Sequence, residues 1–189
     1  MEFVPLRTER MVLDLPVHAD RDLVAAYCAD PVFERFMTTP WPYRLKDADF
    51  FVDEFVPKGW ADGSELTWAL RLAAGGPLIG VIGWRRQRQE LGFWLGAPYR
   101  GFGYMTEATN ALTDWLFDTQ SQDVVRWECI QGNTDSAGVA RKAGFRFTGE
   151  RRSTLPMRKG DLRPSWHAEL RPGDPHEPTA GWPAPAAGM

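Results

Sequence analysis

The stretch that decides the fold is Gly92-Phe-Trp-Leu-Gly-Ala-Pro-Tyr-Arg-Gly-Phe-Gly-Tyr-Met-Thr-Glu-Ala108. It is typical of an apolar strand, a turn rich in Gly and Pro, and then a helix that the chain enters through glycine. Such a helix start presents backbone N–H groups without partners at its positive end, which suits a pyrophosphate. The stretch therefore predicts a ligand that carries phosphate groups.

Two common phosphate loops do not fit this stretch. A P-loop ends in Gly-Lys-Ser/Thr, whereas Gly103 is followed by Tyr-Met-Thr, so no lysine can reach a terminal phosphate. A dinucleotide fingerprint needs a third glycine where Thr106 stands, and an acidic residue at a strand end about 20 residues further on. Both features are missing, which disfavours nucleoside triphosphates and NAD.

Two downstream motifs accompany the stretch, Asn133-Thr-Asp-Ser136 and Lys142-Ala-Gly-Phe145. Together with Arg100-Gly-Phe-Gly103 they resemble the GNAT superfamily of acyl-CoA-dependent N-acyltransferases. The opening Leu6-Arg-Thr-Glu-Arg-Met-Val-Leu13 and the run Tyr-Arg-Gly-Phe-Gly-Tyr-x-Thr-Glu-Ala look like the RimJ/RimL branch, the ribosomal-protein acetyltransferase type. The resemblance covers roughly residues 6–170, and two separated motifs at the expected distance are far more specific than one glycine loop.

The resemblance implies an α/β fold, with a mixed, mostly antiparallel twisted sheet flanked by helices. The chain's own periodicity predicts strands over residues 11–15, 66–73, 78–87, 90–95, 124–130, 145–153 and 166–170. It predicts helices over 20–29, 31–37, 46–60, 103–117 and 134–143, of which Pro57 should end or kink the third early. We expect one domain over 1–170 and a Pro/Gly/Ala-rich tail over 171–189. The tail's composition favours disorder, and Trp182 is the residue that could pin it.

Composition narrows the function classes. The chain of 189 residues, 43% hydrophobic and 25% charged, is ordinary for one globular domain with a sizeable core. A net charge of −3 gives no global attraction to nucleic acid or anionic lipid, so we expect neither partner. Cys28 and Cys129 lack metal or redox spacing, which predicts reduced core cysteines, no metal and a cytoplasmic location. No apolar run predicts a signal peptide or a membrane span.

The resemblance also implies that acetyl-CoA is the cosubstrate and that three segments bind it. The backbone of Trp94 and Leu95 would pair with pantetheine and polarise the thioester carbonyl. Asn133 would bond pantetheine, and Ser136 would protonate the leaving sulfur. Backbone amides would hold the pyrophosphate, and they belong to Arg100, Gly101, Phe102, Gly103, Tyr104, Met105 and Thr106.

Several of these residues have a second interpretation. Asn-x-x-Ser before an apolar run is also an N-cap pattern, which alone would explain Asn133 and Ser136. Met105 stands where the family usually has Ala or Gly, although its backbone N–H rather than its side chain would bind. Basic side chains crowd together between residues 141 and 163, and they suit either the 3′-phosphate end of CoA or solvated strands. They are Arg141, Lys142, Arg146, Arg151, Arg152, Arg158, Lys159 and Arg163.

The catalytic base is expected to be Glu90 or Glu128. Glu90 is favoured because the strand that carries the thioester begins there, although a surface ion pair explains either residue. A poor base favours an α-amino group, whose pKa is about 8, over a lysine amine, whose pKa is about 10.4, as the acceptor. The three histidines are not expected to be catalytic, because they fit a turn (His18), a strand (His167) and the tail (His176).

The acceptor groove is expected between segments 33–60 and 157–166. Aromatic residues there could line a pocket and acids could attract a cationic amine, but core packing and a solvated helix face explain them as well. They are Trp41, Tyr43, Phe50, Trp60 and Trp68, with Asp47, Asp49, Asp53 and Glu54.

The resulting hypothesis is transfer of an acetyl group from acetyl-CoA to a primary amine, by direct attack of the amine on the thioester. The amine would belong to a protein N-terminus or a small molecule. The alternatives are a non-catalytic acyl-CoA sensor and a transferase of a larger acyl group such as succinyl. A homodimer is left open.

Overall fold

The computed structural model describes residues 2–154 and 156–183, and eight strands in this part of the chain form one sheet. They are β1 (Leu6–Arg7), β2 (Val12–Asp14), β3 (Glu65–Arg71), β4 (Gly80–Arg85), β5 (Glu90–Leu95), β6 (Val125–Ile130), β7 (Arg146–Arg152) and β8 (Pro164–Leu170). Their order across the sheet is β1-β2-β3-β4-β5-β6-β8-β7. Only β5 and β6 pair in parallel, which confirms the mixed, mostly antiparallel sheet.

Helices cover both faces of the sheet. They are α1 (Arg21–Cys28), α2 (Pro31–Phe36), α3 (Leu45–Phe50), α4 (Val56–Asp62), α5 (Tyr104–Gln120) and α6 (Thr134–Lys142). Because side chains alternate along a strand, β3 sends Ala69 to the cluster under α1–α3 and Trp68 to the larger core with α4, α5 and α6. No helix in the described part of the chain is long and apolar enough to cross a membrane.

The helix predicted over 46–60 does not end at Pro57. After α3 the chain forms one π-helical turn over Phe51–Phe55, in which the Val56 N–H donates to the Phe51 carbonyl. Pro57 then lies in the first turn of α4, where a missing N–H costs little, and the helix continues to Asp62. Phe50, one of the aromatic residues proposed for the acceptor groove, is 54% exposed.

The sheet opens between β5 and β6. These two strands pair only through Glu90 with Arg126 and Leu91 with Trp127, whereas β4 pairs with β5 along all six of its residues. From Gly92 onwards β5 therefore has a strand partner on one side only. The two strands therefore diverge beyond Leu91.

The first part of the tail packs against the domain. The Trp182 indole lies with its ring centroid 5.5 Å from those of both Trp127 and Phe147. Its Nε1–H donates to the Thr179 hydroxyl at 2.8 Å, and the Thr179 N–H donates to the Arg141 carbonyl at 3.2 Å. Trp182 thus pins the segment 171–183, and the remainder of the predicted tail lies outside the described residues.

The same segment covers the connection between α6 and β7. Gly144 adopts φ +91°, and a Cβ placed there would stand 2.2 Å from the Pro175 carbonyl oxygen. The His176 ring bridges the Ala143 carbonyl and the Asp114 carboxylate through its two nitrogens, at 3.1 and 2.8 Å. The end of α6 and the tail are therefore packed as one unit.

Candidate active site

A cavity of about 990 Å³ opens where β5 and β6 separate. Its walls come from the bend before α5, from α6, from the facing parts of β5 and β6, and from α2 with the segment that follows it. Met157 from the β7–β8 connection and residues 179–183 of the tail complete the lining. One cavity thus joins the phosphate bend to the carboxylates of the central strands.

The bend before α5 presents free backbone amides. Gly101 and Gly103 adopt φ values of +86° and +81°, which glycine tolerates best. The first i→i−4 bond of the helix runs from the Glu107 N–H to the Gly103 carbonyl at 3.0 Å. The N–H groups of residues 104–106 precede that bond and have no partner within the helix, at its positive end. This geometry suits a diphosphate.

Side chains around the bend are engaged elsewhere. The Arg100 side chain donates to the Asp30 carboxylate at 2.8 Å and to the Leu95 carbonyl at 3.1 Å, and the Arg100 N–H donates to the Ala97 carbonyl at 3.4 Å. Phe102 is 61% exposed and does not line the cavity. Met105 is buried in the hydrophobic core, and its side chain therefore leaves the bend accessible.

Asn133 and Ser136 both line the cavity, and they also form the predicted cap. The Asn133 Oδ1 accepts from the Ser136 N–H at 3.2 Å at the start of α6. The cap occupies neither the Asn133 Nδ2 group nor the Ser136 hydroxyl, so capping and ligand binding are compatible. Arg141 and Lys142 also line the cavity. The remaining described members of the basic run do not, and Arg158 donates instead to the Met37 and Thr39 carbonyls.

Glu90 forms a buried ion pair rather than the surface pair that the sequence suggested. Glu90 is 5% exposed, and the Arg85 Nη1 donates to the Glu90 Oε1 at 2.8 Å. Burial raises the pKa of Glu90, and the nearby charge of Glu128 raises it further, while Arg85 opposes both effects. A carboxylate with a raised pKa inside a cavity is a candidate for proton transfer.

Glu128 lies beside Glu90 and shares a partner with it. The Thr154 N–H lies 3.1 Å from both Glu128 oxygens, and the Thr154 hydroxyl donates to the Glu128 Oε2 at 2.6 Å. The same hydroxyl lies 3.4 Å from the Glu90 Oε2. His167 places its Nδ1 3.7 Å from Glu128, and burial lowers the pKa of that imidazole. Thr154 and Arg85 were missed because no sequence motif marks them.

A family model described as an acetyltransferase (GNAT) domain matches residues 10–146 of this chain. The chain belongs to the GNAT acetyltransferase family. No curated protein sequence matches it significantly.

Solved structures of other GNAT acetyltransferases share the fold. The microcin C7 self-immunity acetyltransferase MccE, in complex with acetyl-CoA and AMP, is 18% identical with a TM-score of 0.73, over 86% of this chain and 93% of that one. A putative ribosomal-protein-serine acetyltransferase from Vibrio cholerae is 17% identical with a TM-score of 0.76, over 89% and 98%. RimL, a ribosomal L7/L12 α-N-protein acetyltransferase in complex with coenzyme A, is 14% identical with a TM-score of 0.72, over 89% and 98%.

The residues that line this part of the cavity differ from those that the sequence predicted for the acceptor groove. Segments 33–60 and 157–166 do contribute to the cavity, but through Phe33, Phe36, Met37, Thr38, Met157 and Trp166. None of the five aromatic residues named above lines it. Trp60 and Trp68 are buried in the larger core with α4 and α5, and Trp41 and Tyr43 pack under α1–α3.

The acids expected at the groove lie on a helix surface instead. Asp49 pairs with Arg21 at 3.1 Å and Asp53 with His18 at 2.9 Å. The carboxylates of the described residues that line the cavity are instead Glu90, Glu128 and Asp135 at the start of α6.

Both cysteines are buried and form no disulfide among the described residues, as predicted. Burial raises the pKa of each thiol.

Proposed function

We propose that this chain transfers an acetyl group from acetyl-CoA to a primary amine by direct attack of the amine on the thioester. The observation that carries the proposal is the single cavity, which has free helix amides at one end and the Glu90–Glu128 pair at the other. A thioester held between these ends lies next to groups that can accept a proton. The coenzyme-bound relatives share this fold.

Coenzyme binding follows from the backbone. Beyond Leu91 the edge of β5 that faces β6 has no strand partner, so its N–H and C=O groups are available to the amides of pantetheine. The backbone at Trp94 and Leu95 would polarise the thioester carbonyl, and the amides from Gly101 to Thr106 would hold the diphosphate. Asn133 would bond pantetheine, and Lys142 would face the 3′-phosphate.

The chemistry needs three proton-handling steps. The amine must be neutral when its nitrogen attacks the carbonyl carbon, and Glu90 or Glu128 accepts the proton that the nitrogen loses. The carbon–sulfur bond then breaks, and the Ser136 hydroxyl donates a proton to the leaving thiolate. Solvent returns the proton to Ser136. Backbone N–H groups of β5 stabilise the oxyanion that forms between these steps.

The acceptor is a primary amine, either a protein N-terminus or a small molecule. Two carboxylates favour a cationic group, while Phe33, Phe36 and Met157 supply apolar walls beside them. RimL, which shares this fold, is described as an α-N-protein acetyltransferase, which supports a protein N-terminus as one kind of acceptor.

The test follows thiol release from acetyl-CoA with a panel of peptides and small amines. We expect amine-dependent release, and a loss of about 100-fold or more in kcat/KM in Glu90→Gln or Ser136→Ala. Glu54→Gln, which changes an exposed glutamate outside the cavity, should leave the rate unchanged. Tight CoA binding without release across the panel would support a sensor instead. Faster release from succinyl-CoA would show a preference for the larger acyl group.

A further inference from the structure

Thr154 lies between the two carboxylates of the proposed active site. Its hydroxyl is 2.6 Å from the Glu128 Oε2 and 3.4 Å from the Glu90 Oε2, and its N–H also faces Glu128 at 3.1 Å. A hydroxyl carries one proton, and the shorter contact shows that Glu128 receives it. The contact with Glu90 can then be a hydrogen bond only when Glu90 is protonated and donates to the Thr154 oxygen.

The surroundings set the charge state of this trio. Arg85 on β4 bonds Glu90 and also lies 3.5 Å from Glu65 on β3, so two carboxylates share one guanidinium. Arg88 donates to the Thr154 carbonyl at 3.2 Å and adds a positive charge near Glu90.

Among the described residues, His167 and Cys129 are titratable neighbours of Glu128, and burial together with the Glu128 charge raises the pKa of the Cys129 thiol. His167 on β8 faces Glu128; burial lowers the pKa of the His167 imidazole, the Glu128 charge opposes this, and the charge of Arg151 on β7 adds to it. Within the described residues, the donors that hold the Glu128 carboxylate are those of Thr154.

We propose that Thr154 is a positioning residue that joins Glu90 and Glu128 into one proton-sharing pair, an inference that rests on the proposed function. When Glu90 takes the proton from the amine nitrogen, its new O–H donates to the Thr154 hydroxyl, which already donates to Glu128. A concerted shift along these two hydrogen bonds leaves the proton on Glu128 and restores the Glu90 carboxylate. Each shift breaks one O–H bond and forms another, nothing is oxidised or reduced, and no other reactant is needed.

The experiment compares Thr154→Val with Thr154→Ser. Valine keeps the shape but removes the acceptor for protonated Glu90 and a donor to Glu128, so the proton on Glu90 becomes less stable. We expect kcat/KM with the best amine of the panel to fall about tenfold, and its acidic limb to move about one pH unit lower. Serine should restore both, and acetyl-CoA affinity should be the same in both variants.

A second measurement does not depend on turnover. Carbon-13 NMR of labelled glutamate carboxyls, with the Glu90 signal assigned by its loss in Glu90→Gln, follows the same titration directly. Thr148→Val, which removes an exposed hydroxyl from β7, is the matched control and should leave the Glu90 midpoint unchanged.

An unchanged midpoint in Thr154→Val, or a midpoint that moves to higher pH, would overturn the inference. The second outcome would show that the hydroxyl donates to Glu90 instead. A wild-type protein that acetylates no amine would refute the proposed function, while the NMR titration would still decide whether the two carboxylates are joined.

Discussion

Gly80→Ala perturbs the strand that would hold the thioester. Gly80 lies on β4 directly opposite Leu95, at the end of β5 that has no partner in β6. A Cβ placed on Gly80 would stand 2.5 Å from the Trp94 carbonyl oxygen and 2.6 Å from a Leu95 methyl carbon. Because real Cβ atoms essentially never approach below 3.0 Å, the β5 backbone has to retreat by about 0.5 Å or more.

The expected magnitude follows from this displacement. Overpacking of this kind costs about 1–3 kcal/mol, which for a domain of this size lowers Tm by about 2–12 °C. The unpaired end of β5 takes up the movement because β6 does not hold it in place. Since a misplacement of about 1 Å can cost about 100-fold in rate, we expect kcat/KM to fall by about 10–100-fold.

Gly83→Ala is the matched control for this prediction. Gly83 lies on the same strand opposite Gly92, and the nearest atoms to its added Cβ are at 3.5 Å, an ordinary contact. Thermal unfolding and calorimetric titration with acetyl-CoA measure both variants. Equal effects of the two alanines, or a Gly80→Ala protein with unchanged acetyl-CoA affinity and turnover, would refute the reasoning.

Three further predictions concern stability. Arg71→Leu leaves the carboxylate of Asp20, which Arg71 binds at 2.8 and 2.6 Å, buried and unpaired, so chemical denaturation should show a loss of about 3–5 kcal/mol. Trp182→Ala removes the ring that packs on Trp127 and should cost about 2 kcal/mol in the same assay, whereas a tail that contributes nothing would give no change. Because burial raises the pKa of Glu90, its contribution to stability is complete below its ordinary pKa and is lost as pH rises through the folded value. The Tm of Glu90→Gln relative to wild type should therefore increase from pH 4 to pH 8, and a constant difference would contradict this.

Elements set by local periodicity were predictable. β5 has the predicted bounds, and α5 begins at Tyr104 after the predicted glycine, because alternation and glycine placement are local properties of the sequence. The π-helical turn at Phe51–Phe55 was not, since the shift in its hydrogen bonds leaves no periodic signal. The short β1 was missed because two residues carry no detectable alternation.

The two ends of the candidate site differ in the same way. The bend before α5 presents backbone groups whose geometry follows from Gly101 and Gly103, so a single segment predicts it. The other end of the cavity brings Thr154 beside Glu90; the two residues are 64 positions apart and meet only through the order β5-β6-β8-β7. The aromatic residues were chosen by type, whereas strand order decides where they lie, and β4 separates the strand that carries Trp68 from β5.

The family match ends at residue 146, before the segment that covers the α6–β7 connection begins. A chimera that joins this catalytic domain to a relative's C-terminal part at that point would carry Gly144 and Trp127 without Pro175 and Trp182, which pack against them. Such a chimera would expose the Trp127 indole and would leave the space beside Gly144 unfilled. Exchanges between members of this family should therefore keep residues 127–183 together as one inherited block.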